Sequence, residues 1–266
     1  YGGKGINVST VLKNLGVDSV ALGFVAGFTG KAIEEGVAAL GVKADFITVS
    51  DGVSRINVKL KAGEETEING KGPNISDAEL EELYKKLDGL TDGDCLVLAG
   101  AIPPSLPSDV YEKIMARLAG KKVDIVVDAT KDLLLNVLKY HPFLIKPNNF
   151  ELGEMFGVTL HSDEEIEEYA KKLQALGARN VAVSMAGDGS MLITENGETY
   201  RMGVPKGKVV NSVGAGDSMV AGFIASYFAE HDYKKALKYG AATGSATAFS
   251  EGLATKDQVE KLLGQF

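Results

Sequence analysis

The most informative stretch of the chain is Asn211-Ser212-Val213-Gly214-Ala215-Gly216-Asp217-Ser218-Met219-Val220-Ala221-Gly222-Phe223. Three small residues, Gly214 to Gly216, lead into an apolar helical segment, and a carboxylate follows them directly. The glycines permit a tight turn whose N–H groups converge, and the positive end of the helix dipole points at the same place. The stretch therefore predicts an anion cradle at Gly214, Ala215 and Gly216, with Asp217 as a candidate base beside it.

Such a cradle suits phosphoryl transfer. A phosphoryl group in transfer needs an anion pocket, and the hydroxyl that accepts it needs a neighbouring group to take its proton. Asp217 could instead simply cap a helix that begins with glycines, because aspartate is a common cap. Both interpretations stay open on this stretch alone.

Outside this stretch, short apolar runs alternate with amphipathic segments. This alternation predicts an α/β fold in which helices connect parallel strands. The predicted strands are residues 20–25, 96–99, 123–127, 143–145 and 181–185. Capping boxes predict helix starts at Ser76-Asp77-Ala78-Glu79, Ser162-Asp163-Glu164-Glu165 and Thr255-Lys256-Asp257-Gln258.

One region has a different period. Between residues 46 and 69, polar Arg55, Asn57 and Lys59 alternate with apolar Ile56, Val58 and Leu60, ahead of a turn at Gly63. A period of two predicts a hairpin in a small antiparallel sheet. We therefore divide the chain into a core of residues 1–45 and 72–266 and a β lid of residues 46–71.

Composition narrows the class of protein. The chain has 266 residues, of which 45% are hydrophobic, and its net charge of -8 is spread without long blocks of one sign. We therefore expect no nucleic-acid partner and no membrane partner. No apolar stretch approaches the ~20 residues that cross a bilayer. Cys95 is the single cysteine, which favours a cytoplasmic, reducing setting.

Polar residues follow several predicted strands, where ligands bind in open α/β sheets. Asn148 and Glu151 follow residues 143–145, and their oxygens could serve Mg²⁺ through water or could form a helix cap. The turn of residues 186–189 follows the run 181–185 and could be a plain hairpin or a nucleotide loop. Asp128, after residues 123–127, is the acidic residue expected near this cleft.

The motifs together resemble a known family. Gly2-Gly3-Lys4-Gly5-Ile6-Asn7, Asn148-x-x-Glu151 and Val213-Gly214-Ala215-Gly216-Asp217 resemble, in this order, the motifs of the ribokinase-like sugar kinases, the phosphofructokinase B group. Residues 55–61, 65–70, 72–73 and 245–251 are similar to the bacterial branch that acts on fructose 1-phosphate. The resemblance spans essentially the whole chain.

The resemblance implies a fold, a reaction and site residues. The fold would be a three-layer α/β/α core with a mostly parallel sheet and a small β lid. The reaction would transfer the ATP γ-phosphoryl group to fructose 1-phosphate, with tagatose-6-phosphate kinase as the nearest alternative. Asp217 would be the base, with the cradle N–H groups stabilising charge, and Mg²⁺ would be ordered by Asn148 and Glu151. The ATP site would comprise Ser184, Ala186, Gly187, Asp188, Gly189, Gly216, Ser245 and Ser250.

The sugar end is implied in the same way. Gly2, Gly3 and Asn7 would face the sugar, while Arg55 and Lys4 would hold the phosphate that the substrate already carries. A homodimer through the lid is a further expectation. Family members begin with a strand and a sugar-binding acid ahead of the motif at Gly2, so we expect the beginning to be missing. The second hypothesis is therefore a non-catalytic sugar-phosphate binder.

Overall fold

The secondary structure alternates helices and strands along the chain. A computed structural model describes residues 1–62, 64–129 and 131–266. Its helices are α1 (Lys4–Asn14), α2 (Gly27–Ala39), α3 (Asp77–Asp88), α4 (Val110–Leu118), α5 (Lys131–Val137), α6 (Asn149–Phe156), α7 (Asp163–Ala175), α8 (Ala215–Glu230), α9 (Tyr233–Ala248) and α10 (Lys256–Leu263).

The strands of these described residues are short. They are β1 (Val20–Ala21), β2 (Phe24–Ala26), β3 (Lys43–Ala44), β4 (Ile47–Val49), β5 (Asn57–Ala62), β6 (Glu64–Asn69), β7 (Cys95–Ala99), β8 (Asp124–Asp128), β9 (Leu144–Ile145), β10 (Asn180–Ser184), β11 (Ser190–Ile193) and β12 (Thr199–Met202).

A six-stranded sheet forms the centre, in the order β12-β11-β10-β9-β8-β7. Strands β7 to β10 are parallel, and β11 and β12 extend the sheet antiparallel. The predicted strands at 96–99, 123–127, 143–145 and 181–185 are thereby confirmed to within one or two residues. Their carboxyl ends meet at one edge, which collects the loops that follow them.

Helices cover both faces of this sheet. On one face, Val127, Ile145 and Val183 pack with the buried side chains of α3 to α7. On the other, Val126, Leu144 and Ala182 pack with α1, α8, α9 and α10. Successive strand residues point to opposite faces, so both cores share the same strands. The predicted three-layer α/β/α architecture is confirmed.

The prediction of one continuous strand over residues 20–25 is wrong. Strands β1 and β2 are separated at Leu22 and Gly23, and they pair in parallel with β3 and β4 in two separate two-stranded sheets. The ring of Phe46 lies within van der Waals distance of the space that a side chain at Gly23 would occupy. The two pairs keep one register, because Asp45 N donates to Ala21 O and Ile47 N donates to Gly23 O, so only the regular strand geometry lapses at Leu22 and Gly23.

The predicted helix starts are confirmed. Ser76 and Glu79 form a full capping box, and Gln258 accepts from the backbone N–H of Thr255. At α7 only half of the box forms, because Glu165 accepts from His161 N instead of the cap residue. No helix among residues 1–62, 64–129 and 131–266 is long and apolar enough to cross a membrane.

Helices α8 and α9 pack closely through glycine. A Cβ at Gly222 would lie 2.3 Å from Thr243 Oγ1, and one at Gly240 would lie 2.9 Å from the carbonyl oxygen of Met219. These contacts exclude any larger residue without movement of a helix. Because α8 begins at the glycine-rich motif, this packing fixes the direction in which α8 points its first turn.

Strands β5 and β6 form an antiparallel pair with Val58 opposite Ile68. The predicted turn residue Gly63 and the side chain of Lys59 lie outside the described residues. On the described part of this hairpin, Ile56, Val58, Leu60 and Ile68 are all exposed. The hairpin therefore presents an apolar face to its surroundings.

Candidate active site

Asp217 lies in the first turn of α8 and is buried, with 6% of its surface exposed. Asn7 Nδ2, on α1, donates a hydrogen bond of 2.8 Å to Asp217 Oδ2. This contact joins the two glycine-containing motifs at opposite ends of the chain. It leaves Asp217 Oδ1 as the oxygen that can meet a ligand.

The pKa of the Asp217 carboxyl is raised above its ordinary value. Burial is the largest cause, and the negative charge of Asp128 acts in the same direction. The hydrogen bond from Asn7 and the charges of Lys4 and Lys146 act against the rise. Desolvation therefore outweighs the stabilisation that the N-terminus of α8 offers to the ionised carboxylate.

The cradle depends on Gly214. Its φ of 82° is left-handed, and a Cβ there would lie 2.8 Å from Leu253 Cδ2. The N–H of Ala215 already donates to the carbonyl of Ser212 at 3.2 Å, so it is not available as the resemblance implies. In the described chain, no hydrogen bond occupies the N–H groups of Gly214, Gly216 or Asp217. These three donors are free to bind an anion at the start of α8.

Lys146 is a candidate site residue that the sequence did not single out. It follows β9, is 7% exposed, and its Nζ lies 3.2 Å from the place of a Cβ built at Gly216. Its ammonium group therefore faces the cradle. A lysine directly after a buried strand is a signal, because burying an ammonium is costly unless an anion accompanies it.

Asp128, at the end of β8, is the anion beside Lys146. Its Oδ1 lies 3.6 Å from Lys146 Nζ and accepts a 3.1 Å hydrogen bond from Lys4 Nζ. Its Oδ2 is buried and has no hydrogen-bond partner among the described residues. The expectation that Asp128 lies near the cleft agrees with this position. Lys4 contacts Asp128 here, and a substrate phosphate would compete with that carboxylate for it.

Gly2 and Gly3 precede α1 and are exposed, and a Cβ at either would meet no atom within 4 Å. Open space on this side of Asn7 leaves room for a ligand near the Asp217 carboxylate.

Asn148 and Glu151 form a reciprocal capping box at the start of α6. Asn148 N donates to Glu151 Oε2 at 2.8 Å, and Glu151 N donates to Asn148 Oδ1 at 2.8 Å. The cap interpretation is thus realised in the structure. Among the described residues no group of three or more His, Cys, Asp or Glu side chains could hold a metal directly. The second carboxylate oxygen of Glu151 can still bind the water shell of Mg²⁺.

The remaining predicted ATP residues lie on two elements. Ser184 ends β10 and forms an isolated parallel β-bridge with Asn148. Ala186, Gly187 and Asp188 form a short 3-10 turn before Gly189. This turn joins two antiparallel strands, so the hairpin interpretation holds as well. Ser245 lies in α9, and Ser250 follows it and accepts from Gln258. No hydrogen bond between described residues joins the 186–189 turn to the cradle.

Arg55 lies at the base of the hairpin, where its Cβ approaches Gly70. Its side chain is exposed and has no ion-pair partner in the described part of the chain. The structure does not bring Arg55 into contact with Asp217 or Lys4.

Comparison with known proteins defines the class. The sequence model of the pfkB family of carbohydrate kinases matches residues 1–260. A Bacillus subtilis 1-phosphofructokinase is 51% identical over 98% of this chain and 86% of its own length. A Bacillus licheniformis D-tagatose-1-phosphate kinase is 38% identical over 99% of this chain and 86% of its own length. The chain belongs to the pfkB family and is an ATP-dependent carbohydrate kinase.

Solved structures agree on the fold. A Staphylococcus aureus protein assigned as a phosphofructokinase is 46% identical, with a TM-score of 0.90 over 99% of this chain and 86% of that one. Arabidopsis thaliana ribokinase, solved with ribose and ATP, has a TM-score of 0.79 at 21% identity over 98% of this chain and 87% of that one. The fold is ribokinase-like.

Proposed function

We propose that this kinase transfers the ATP γ-phosphoryl group to fructose 1-phosphate, forming fructose 1,6-bisphosphate. The observation that carries the proposal is the buried Asp217 carboxylate, held by Asn7 beside free N–H donors at the start of α8. A proton acceptor next to an anion site is what transfer to an alcohol requires. The similarity to 1-phosphofructokinases supports fructose 1-phosphate as the acceptor.

Asp217 is the group that accepts the proton of the attacking hydroxyl. Asp128 is a poorer candidate, because two ammonium groups already contact its Oδ1. Burial destabilises the ionised carboxylate of Asp217 and so raises its pKa. Asp217 therefore binds a proton more strongly than an exposed aspartate and is a better base. The N–H groups of Gly214, Gly216 and Asp217 would stabilise the negative charge on the transferring phosphoryl group. The ammonium group of Lys146, which faces them, would add to this stabilisation.

The nucleotide would lie along the loop before α8. Val210 N and Asn211 N both donate to the carbonyl of Ala248, which holds this loop against the end of α9 between Ser245 and Ser250. Val209, Val210 and Val213 are exposed on the same loop. Apolar side chains beside a phosphate cradle suit a nucleotide base. Mg²⁺ would sit in its water shell near Glu151 and would neutralise phosphate charge when bound.

The substrate's own phosphate is assigned to Arg55. An exposed guanidinium without a partner among the described residues is free to form the two parallel hydrogen bonds that suit phosphate. Lys4 would be a second contact only after it leaves Asp128.

The lid assignment and the dimer rest on the exposed face of the hairpin. Ile56, Val58, Leu60 and Ile68 would be covered if two hairpins of two copies pack together. Light scattering of the protein and of Ile68→Lys tests this, and a monomer in both cases would contradict the dimer. A cytoplasmic location is supported by the single cysteine, Cys95, which can form no disulfide within this chain.

The experiment that tests the substrate is a coupled ADP-release assay with four acceptors. The acceptors are fructose 1-phosphate, D-tagatose 1-phosphate, tagatose 6-phosphate and fructose 6-phosphate. Fructose 1-phosphate should give the highest kcat/KM of the four. A preference for D-tagatose 1-phosphate would select the function named for the Bacillus licheniformis relative. ADP release with none of them would favour a non-catalytic binder.

A further inference from the structure

We propose that Asp128 is a positioning residue, which sets the place of the Lys146 ammonium group beside the cradle and acts on phosphoryl transfer through Lys146. The inference deepens the proposed kinase function and rests on it.

Asp128 is held rigidly at the end of its strand. Asp128 is the last residue of β8, paired with Ala99 of β7, and its carbonyl accepts from Gly100 N at 3.2 Å. Its side chain is only 5% exposed. Position and rotamer are therefore both constrained, as a group that aligns another side chain requires.

The two lysines that contact Asp128 differ in their exposure to water. The side chain of Lys146 is 8% exposed and that of Lys4 is 38% exposed, so water can solvate Lys4 but hardly Lys146. Asp128 is the ion-pair partner of Lys146 in the described chain. A buried ammonium with one anionic partner takes its position from that partner, whereas an exposed one does not.

One carboxylate oxygen of Asp128 has no hydrogen-bond partner in the described chain. A buried carboxylate that served only stability would have both oxygens hydrogen-bonded, yet Asp128 Oδ2 has no partner among the described residues. Such an arrangement is unfavourable for folding and indicates that the charge is kept for the site. Its charge balances the cluster, in which two carboxylates, Asp128 and Asp217, face two ammonium groups, Lys4 and Lys146.

The test is a double-mutant cycle on kcat. Asp128→Asn should lower kcat about ten- to a hundredfold, with KM for ATP and for fructose 1-phosphate changed less than about threefold. Lys146→Met should lower kcat at least as much. Adding Asp128→Asn to Lys146→Met should cost less than about threefold more, because the group that Asp128 positions is already gone. In a Lys4→Met background, the full effect of Asp128→Asn should persist.

A matched control lies on the same strand. Asp124 opens β8 and forms an ion pair with Arg179 at 2.8 Å, far from the cradle end. Asp124→Asn should leave kcat unchanged. If Asp128→Asn does not fold, Asp128→Glu is the second variant. Glutamate keeps the negative charge but moves it by one methylene group, so Asp128→Glu should still lower kcat.

The outcomes separate the two proposals. Wild-type protein that releases no ADP with any acceptor would contradict the kinase function itself. Active wild type with multiplicative effects of Asp128→Asn and Lys146→Met would overturn only the positioning role. Wild-type kcat in Asp128→Glu, or coupling to Lys4 instead of Lys146, would also overturn it.

Discussion

Asn7 Nδ2 lies 2.8 Å from Asp217 Oδ2, although the two residues are 210 positions apart. The hydrogen bond restrains the side chain of the proposed base through Oδ2 and leaves Oδ1 outside this contact. It also opposes the rise in the pKa of Asp217 that burial causes. One amide therefore restrains the side chain of the base and limits the rise in its pKa that burial causes.

The first prediction concerns this amide. Asn7→Ala removes a hydrogen bond that lowers the pKa of Asp217, so the acid limb of the pH profile of kcat/KM should move to higher pH. The base must be ionised to act, so activity is lost as pH falls through its pKa.

Asn14→Ala is the matched control, because Asn14 lies on the same helix and donates to the carbonyl of Ala254 instead. Its profile should coincide with that of the wild type, and the phosphate titration of the substrates is common to all three enzymes. An acid limb that stays in place in Asn7→Ala would contradict the role of this hydrogen bond.

The second prediction concerns stability. The folded-state pKa of Asp217 is raised, so the folded chain holds this proton more tightly and loses stability as pH rises above the unfolded value of about 4. Asp217→Asn removes this loss. Its midpoint of thermal unfolding should exceed that of the wild type at pH 7, and the difference should shrink toward pH 4. A variant less stable at pH 7 would show that Asp217 serves folding.

The third prediction concerns the lid. Arg55→Ala should raise KM for fructose 1-phosphate about ten- to a hundredfold, because a charged hydrogen bond contributes about 1.5–3 kcal/mol. KM for ATP should change little. Lys71→Ala removes an exposed cation next to the same hairpin and should leave both constants unchanged. Equal KM values for wild type and Arg55→Ala would remove Arg55 from the site.

The fourth prediction concerns the packing behind the cradle. Gly222→Ala places a methyl group against Thr243 and should destabilise the fold by about 1–3 kcal/mol, despite the higher helix propensity of alanine. Gly5→Ala is the control, since it lies in α1 with no atom within 4 Å and should be neutral or stabilising. Urea unfolding measures both, and equal stabilities would contradict the close approach of α8 and α9.

The sequence predicted much of this arrangement, for physical reasons that particular residues show. The period-two run around Val58 predicts a strand with one apolar face, and the apolar run before Lys146 predicts a strand that is buried on both faces. The break between β1 and β2, where Gly23 lies near Phe46, could not be inferred from the apolar run, because it depends on pairing with a second strand.

The site follows the same division. The motifs at Asn7 and Asp217 predicted a shared pocket, which the 2.8 Å contact realises. The raised pKa of Asp217 and the burial of Lys146 depend on what surrounds them in three dimensions. For Asn148 and Glu151 the sequence cannot separate two roles. The same two side chains form a capping box and would also suit hydrated Mg²⁺.

The most direct test is kcat of Asp217→Asn with ATP and fructose 1-phosphate. Asparagine keeps the shape, the place in the first turn of α8 and an oxygen for Asn7, but it cannot accept a proton from the substrate. The account predicts a loss of kcat of roughly 10²- to 10⁴-fold with ATP affinity nearly unchanged. A variant that retains more than about a tenth of the wild-type kcat would contradict it, since loss of a general base costs ~10²-fold at least.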